Sequence, residues 1–307
     1  MDKLRVTLQG PAASLALKNP VLTASGTFGY GLEFAPFGDL TTLGGIVVKG
    51  LSLSPREGNS MPRIAETPCG MLNAVGLQNC GVDVFLREKL PQLPPELPVI
   101  ANLYATSVED FGALAARIAV HGGVAALEVN ISCPNVGEGG VAFGQNADMA
   151  AAVTQAVRKN APLMPVIVKL SPNVTDIVAI AKACESAGAD ALSCINTITG
   201  MGVDLATRKP LLANVTGGLS GPAIKPVALR CVWQVSRAVS IPVIGVGGIR
   251  NGEDVLEFIL AGAHAVQIGS ANFTRPDTAF RIAAELPKLT KKYGISSWDA
   301  FRGSLQI

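Results

Sequence analysis

Residues 164–196 read MPVIVKLSPNVTDIVAIAKACESAGADALSCIN, and this stretch decides the fold. Pro165 stands at the entrance of an apolar run, where a missing N–H matters least. MPVIVKL (164–170) is therefore a short buried strand that ends on a polar residue. The next residues predict an amphipathic helix over Val174–Ala187, with Val174, Ile177, Val178, Ala181 and Cys184 on one face. Gly188 closes that helix, and GADALSCIN (188–196) is a second short buried strand.

This strand–helix–strand unit recurs twice. One copy runs LPVIANL (97–103), Val108–His121, GVAALEVNIS (123–132). The other runs IPVIGVG (241–247), Gly252–Ala261, GAHAVQIGS (262–270). With PVLTAS (20–25) and GGIVVKG (44–50), the repeats bring the strand count to eight. Eight strands alternating with helices predict an α/β fold, a (β/α)8 TIM barrel. Residues 4–17 (LRVTLQGPAASLAL) predict an N-terminal β-hairpin that caps the barrel bottom, and no boundary divides residues 1–307, which read as a single domain. The alternative is an open doubly wound sheet. That fold places its Gly-rich loop after the first strand, whereas here such loops follow the last two.

Composition agrees. The chain has 307 residues, 49% of them hydrophobic and 5% aromatic, as expected when Val, Ile, Leu and Ala fill strands buried on both faces. A net charge of +2 with interspersed signs offers no basic stripe for nucleic acid and no anionic-membrane surface. The opening MDKLRVTLQG has no apolar signal core, and no apolar run reaches membrane-spanning length. The six Cys (69, 80, 133, 184, 194 and 231) show no CxxC, which argues against a disulfide scaffold, a zinc site or an iron–sulfur motif. The expectation is a cytoplasmic protein with no metal site.

In a (β/α)8 barrel, chemistry sits at the C-terminal ends of the strands. Those ends carry Ser25, Lys49, Asn102, Asn130, Lys169, Asn196, Gly247–Gly248 and Gly269–Ser270. Lysines on apolar strands are costly unless they meet an anion or an electron-rich ring. GVGGIRNGED (245–254) and IGSAN (268–272) follow strands seven and eight, the usual phosphate site of such barrels. VNISCPNVGEGGVAFGQ (129–145) puts Cys133 on a Gly-rich loop at the same end, unlike Cys184 and Cys194, which read as apolar fillers. GMLNAVGLQNCG (70–81) reads as a second polar loop, before a helix, that suits a small flat ligand.

The chain resembles the dihydroorotate dehydrogenase family. The resemblance rests on TASGTFGYG (23–31), VVKGLS (47–52), GMLNAVGLQN (70–79), VNISCPNVGEGG (129–140), VKLSPNV (168–174), INTITGM (195–201), GGLSGPAIKP (217–226), GVGGI (245–249) and IGSANF (268–273), in family order over nearly the whole chain. With Cys133 at the base position it is similar to class 1, and GMLNAVGLQN with NVGEGGVAFG is similar to subclass 1B. The resemblance implies oxidation of (S)-dihydroorotate to orotate in pyrimidine biosynthesis. Cys133 would take the C5 proton, and FMN would take the C6 hydride. It implies substrate contacts from Lys49, Asn73, Ala74, Val75, Gly76, Leu77, Asn130, Asn196 and Thr197. It implies FMN contacts from Ser25, Lys49, Gly50, Asn102, Asn130, Lys169, Ile195, Gly221, Gly247, Gly248, Gly269 and Ser270. Subclass 1B further implies a separate electron-transfer subunit carrying FAD and a [2Fe–2S] cluster, in a heterotetramer of two catalytic and two electron-transfer subunits, with NAD+ as final acceptor. The alternatives are a fumarate-using subclass 1A enzyme, another FMN barrel such as a dihydropyrimidine dehydrogenase flavin domain or a flavin-dependent tRNA reductase, and a non-catalytic phosphate-binding barrel.

Overall fold

The computed structural model describes residues 4–132 and 143–306. Eight parallel strands close into a barrel: Val21–Thr23, Gly45–Val47, Val99–Leu103, Ala126–Asn130, Val166–Leu170, Ala191–Cys194, Val243–Val246 and Ala265–Ile268. All eight lie inside the segments expected from sequence. The last strand closes on the first in the register Val266↔Val21 and Ile268↔Thr23.

Strand alternation divides the interior from the helical layer. Leu22, Val47, Ile100, Ala126, Ile167, Ala191, Ile244 and Ala265 form one inward layer. Their neighbours Val21, Ile46, Val99, Leu127, Val166, Val168, Leu192, Val243 and Val266 belong to the larger core that the outer helices cover. The helix Val108–His121 has the predicted ends, with the Ser107 side chain accepting from Asp110 N. The next repeat differs in one respect. Its helix is Ile177–Ser186, because Asp176 accepts from Val178 N and Ala179 N and so fixes the start. Val174 precedes that cap and is not on the helix.

The strands Val6–Gln9 and Ser14–Leu17 pair antiparallel as the expected hairpin. Val6, Leu8, Leu15 and Leu17 pack directly against the inward apolar layer and plug one end of the barrel. Each fully buried Leu there contributes about 2 kcal/mol. Asp190, just ahead of the sixth barrel strand, ties the plug down. Its Oδ1 accepts from Ala12 N at 2.9 Å and Ala13 N at 3.0 Å, and its Oδ2 accepts from Val166 N at 2.9 Å and pairs with Arg158.

With the bottom closed by apolar side chains, the open end lies where the strands terminate. There the chain builds an antiparallel sheet that the sequence reading did not anticipate. Its strands are, in spatial order, Ile198–Met201, Thr216–Ser220, Gly70–Asn73 and Ile64–Thr67. The first part of GMLNAVGLQNCG is thus a strand, not a loop.

Candidate active site at the barrel mouth

One alternation step above the apolar layer, the barrel interior turns polar. Asn102, Glu128, Lys169, Ser193 and Gln267 are all buried there. Glu128 is completely buried and is the hub of this layer. Its Oε1 accepts from Asn102 Nδ2 at 2.7 Å and lies 3.9 Å from Lys169 Nζ. Its Oε2 accepts from Ser193 Oγ at 3.0 Å and Gln267 Nε2 at 2.5 Å. Glu128, Ser193 and Gln267 were not among the site residues expected from sequence. The available signal was a polar residue one or two positions before the strand end: Glu128 two before Asn130, Ser193 one before Cys194 and Gln267 one before Ile268.

The next step up brings two expected residues together. Asn196 Nδ2 donates to Asn130 Oδ1 at 3.3 Å, and Asn196 Oδ1 accepts from Thr197 N at 2.8 Å. Asn173, also missed as a participant, holds this corner by donating to Thr197 O at 3.0 Å and accepting from Thr199 N at 2.9 Å. Asn73, on the sheet above the mouth, donates to Gly218 O at 3.3 Å. Asn59 braces Ala74, Val75 and Gly76: its Nδ2 donates to Ala74 O at 2.9 Å and its N to Val75 O at 3.0 Å. Leu77 sits at φ 58°, a left-handed conformation that a bulky residue rarely holds. Asn79 faces away: it is buried and caps its own loop through Ser52 and Gly81 N.

Lys49 is half-buried, and a Cβ built on Gly26 would lie 3.7 Å from its Nζ. This sets the amine beside the TASG turn that contains Ser25. Gly50 is buried under Asn102 and Leu77. Ile195 N donates to Val246 O at 2.9 Å, joining the sixth and seventh strand ends. At the adjoining rim Gly221, Gly247 and Gly248 have φ of 102°, 132° and 74°, left-handed backbone that favours glycine. A Cβ on Gly248 would lie 3.0 Å from Gly221 O, so these two loops meet. Gly269 and Ser270 follow the neighbouring strand, and Ala24 N donates to Ile268 O at 2.8 Å.

Cys133 and the residues up to 142 lie outside the described residues. What flanks them is tied to the mouth: Ser132 Oγ donates to Lys169 O at 2.7 Å, and Gly144 N donates to Ile131 O at 2.8 Å. Cys184 and Cys194 are buried, as expected of apolar fillers. Burial pushes Cys184 up to about 12 and Cys194 well above its ordinary value, so neither is a thiolate near neutrality. Among the described residues no helix is long and apolar enough to cross a membrane, and no cluster of three or more His, Cys, Asp or Glu could hold a metal.

A barrel closed at one end and polar at the other, with paired glycine loops on its rim, agrees with what the chain is similar to. The family model for dihydroorotate dehydrogenase matches residues 7–290. The chain belongs to the dihydroorotate dehydrogenase family. It is 69% identical over 294 residues, 95% of this chain and 96% of the relative, to a protein of Solidesulfovibrio magneticus named dihydroorotate dehydrogenase B (NAD(+)), catalytic subunit. Proteins of the same name from Maridesulfovibrio salexigens and Geobacter sp. strain M21 are 66% and 58% identical, each over 96% of this chain and 97% of the relative. The features that mark this member of the dihydroorotate dehydrogenase family in sequence, NAVGLQN, VNIS and INTITGM, all reach the barrel mouth.

Proposed function

We propose that residues 1–307 act as one FMN-binding barrel that oxidises dihydroorotate to orotate in pyrimidine biosynthesis, working in the cytoplasm as the catalytic subunit of an NAD+-linked enzyme. The observation that carries this reading is the convergence of Lys49, Asn102, Asn130, Lys169 and Asn196 on one barrel mouth, beside the meeting glycine loops of Gly221 and Gly247–Gly248. FMN fits this donor set. The Asn102 Oδ1 is buried with no hydrogen-bond partner, Gly50 leaves space beside it, and the rim glycines supply a backbone cradle for a phosphate. Ser25, Gly269 and Ser270 complete that cradle. When bound, FMN supplies the acceptor for the substrate hydride.

The chain's own residues do the rest. Lys169 would hold the flavin and supply a cation that offsets the negative charge reduction brings. Asn73, Asn130, Asn196 and Thr197, with the backbone of Ala74 to Leu77, hold the substrate's polar edges. Lys49 bridges substrate and flavin. Cys133, next in sequence to Ser132, removes the C5 proton as general base. A second subunit carrying FAD and a [2Fe–2S] cluster would supply the route to NAD+, in a complex of two catalytic and two electron-transfer subunits. The test is simple. Purified chain loaded with FMN loses its flavin colour on anaerobic addition of dihydroorotate and passes electrons to a dye, but not efficiently to NAD+. A chain with no flavin affinity overturns the reading, and rapid NAD+ reduction by the chain alone overturns the partner assignment.

A further inference from the structure

We propose that Glu128 is a positioning residue: its carboxylate turns the Asn102 amide so that the carbonyl oxygen, and not the NH2, faces the ligand, making this point of the pocket select a ring N–H. The inference rests on the FMN reading above and adds to it a residue that makes no ligand contact itself.

A carboxylate only accepts hydrogen bonds. Three donors converge on Glu128, from Asn102, Ser193 and Gln267, with the Lys169 ammonium at 3.9 Å. Asn102 must therefore turn its NH2 down to Glu128, and its Oδ1 is left over. That oxygen is buried without a partner. It lies 3.0 Å from where a Cβ on Gly50 would stand, so the absence of a side chain at position 50 keeps its approach clear. The same logic applies to Gln267, whose Oε1 is also buried and unpaired. A buried acceptor without a donor is costly, so the site is built for a molecule that brings one. A free acceptor next to a lysine matches a ring N–H flanked by a carbonyl. The isoalloxazine presents that pattern at N3–H and C2=O, with N3–H for Asn102 and the carbonyl for Lys169. Ser193 and Gln267 keep the Glu128 carboxylate from rotating away.

The full chain, stripped of flavin, is titrated with FMN and with N3-methyl-FMN, following flavin fluorescence. The wild type prefers FMN by about tenfold or more, the usual consequence of leaving one buried acceptor unmatched. In Glu128→Gln the new side-chain NH2 can donate, Asn102 can turn over, and most of that preference disappears while FMN still binds. An unchanged preference in the variant, or none in the wild type, overturns the proposal. Failure of the wild type to bind either flavin is distinct and overturns the FMN reading itself. Should Glu128→Gln fail to fold, 15N-labelled FMN bound to the wild type decides. The N3–H resonance is shifted downfield and protected from exchange, and an N3–H exchanging as in free FMN refutes the assignment.

Discussion

Asp190→Asn tests the account of how the barrel floor is held. Asp190 is 2% exposed and meets four donors with two oxygens. In the variant one oxygen still accepts from Ala12 N and Ala13 N, but an NH2 now faces Val166 N and Arg158. One backbone donor in the floor loses its acceptor, at about 1–3 kcal/mol. Arg158 loses its counter-charge, and breaking a buried pair runs to about 3–5 kcal/mol. The arginine keeps its bonds to Gly188 O at 3.0 Å and Met164 O at 2.9 Å, which places the total at the low end of the sum, about 4 kcal/mol. Asp190→Ala also releases Ala12 and Ala13 and is worse. The assay is urea unfolding followed by the fluorescence of Trp233 and Trp298, with the midpoint shift converted through the m-value. A loss below about 1 kcal/mol, or an alanine variant as stable as the asparagine one, refutes the claim that Asp190 anchors the hairpin plug.

Two further outcomes are expected. Gly50→Ala sets a Cβ 3.0 Å from Asn102 Oδ1 and 3.6 Å from Leu77 Cδ2, and overpacking of about 1–3 kcal/mol weakens FMN binding by about tenfold, measured by fluorescence titration; unchanged affinity would show that this wall does not shape the flavin site. His264 is held down to about 4, chiefly by burial and then by the Arg302 charge, and its Nδ1 accepts from Val243 N at 3.4 Å. Since the unfolded chain takes up a proton near the ordinary value of 6.5 and the folded one does not until about 4, stability falls as pH drops through that window and is flat above it. In His264→Gln this slope is reduced, as urea midpoints across that range would register.

The barrel strands were legible because a strand buried on both faces must be apolar at nearly every position, and each here is short and bounded by Pro or Gly. The hairpin plug was legible too, since Val6, Leu8, Leu15 and Leu17 alternate with exposed neighbours. The sheet above the mouth was not. Its strands are four or five residues long, three of the four contain Gly, and the middle pair joins distant parts of the chain, as Asn73 does with Gly218; neither periodicity nor turn signals report such contacts. The terminal polar residues Asn102, Asn130 and Asn196 stood out, whereas Glu128 lay inside a strand and looked like one charge within a hydrophobic run. Its meaning depends on four other strands, three supplying its donors and one the nearby lysine. The start of the helix at Ile177 followed a local rule, the Asp176 cap, that outweighed the apolar spacing which had included Val174.

The Cys133 thiol is proposed to take the substrate proton while a bound flavin takes the hydride. Anaerobic single-turnover mixing of dihydroorotate with FMN-loaded wild type and Cys133→Ser tests it most directly, with loss of flavin absorbance as the signal. The account predicts that the serine variant keeps its flavin and is reduced slower by about 100-fold or more, the usual contribution of a positioned base. A variant that retains FMN and is reduced at the wild-type rate would contradict it.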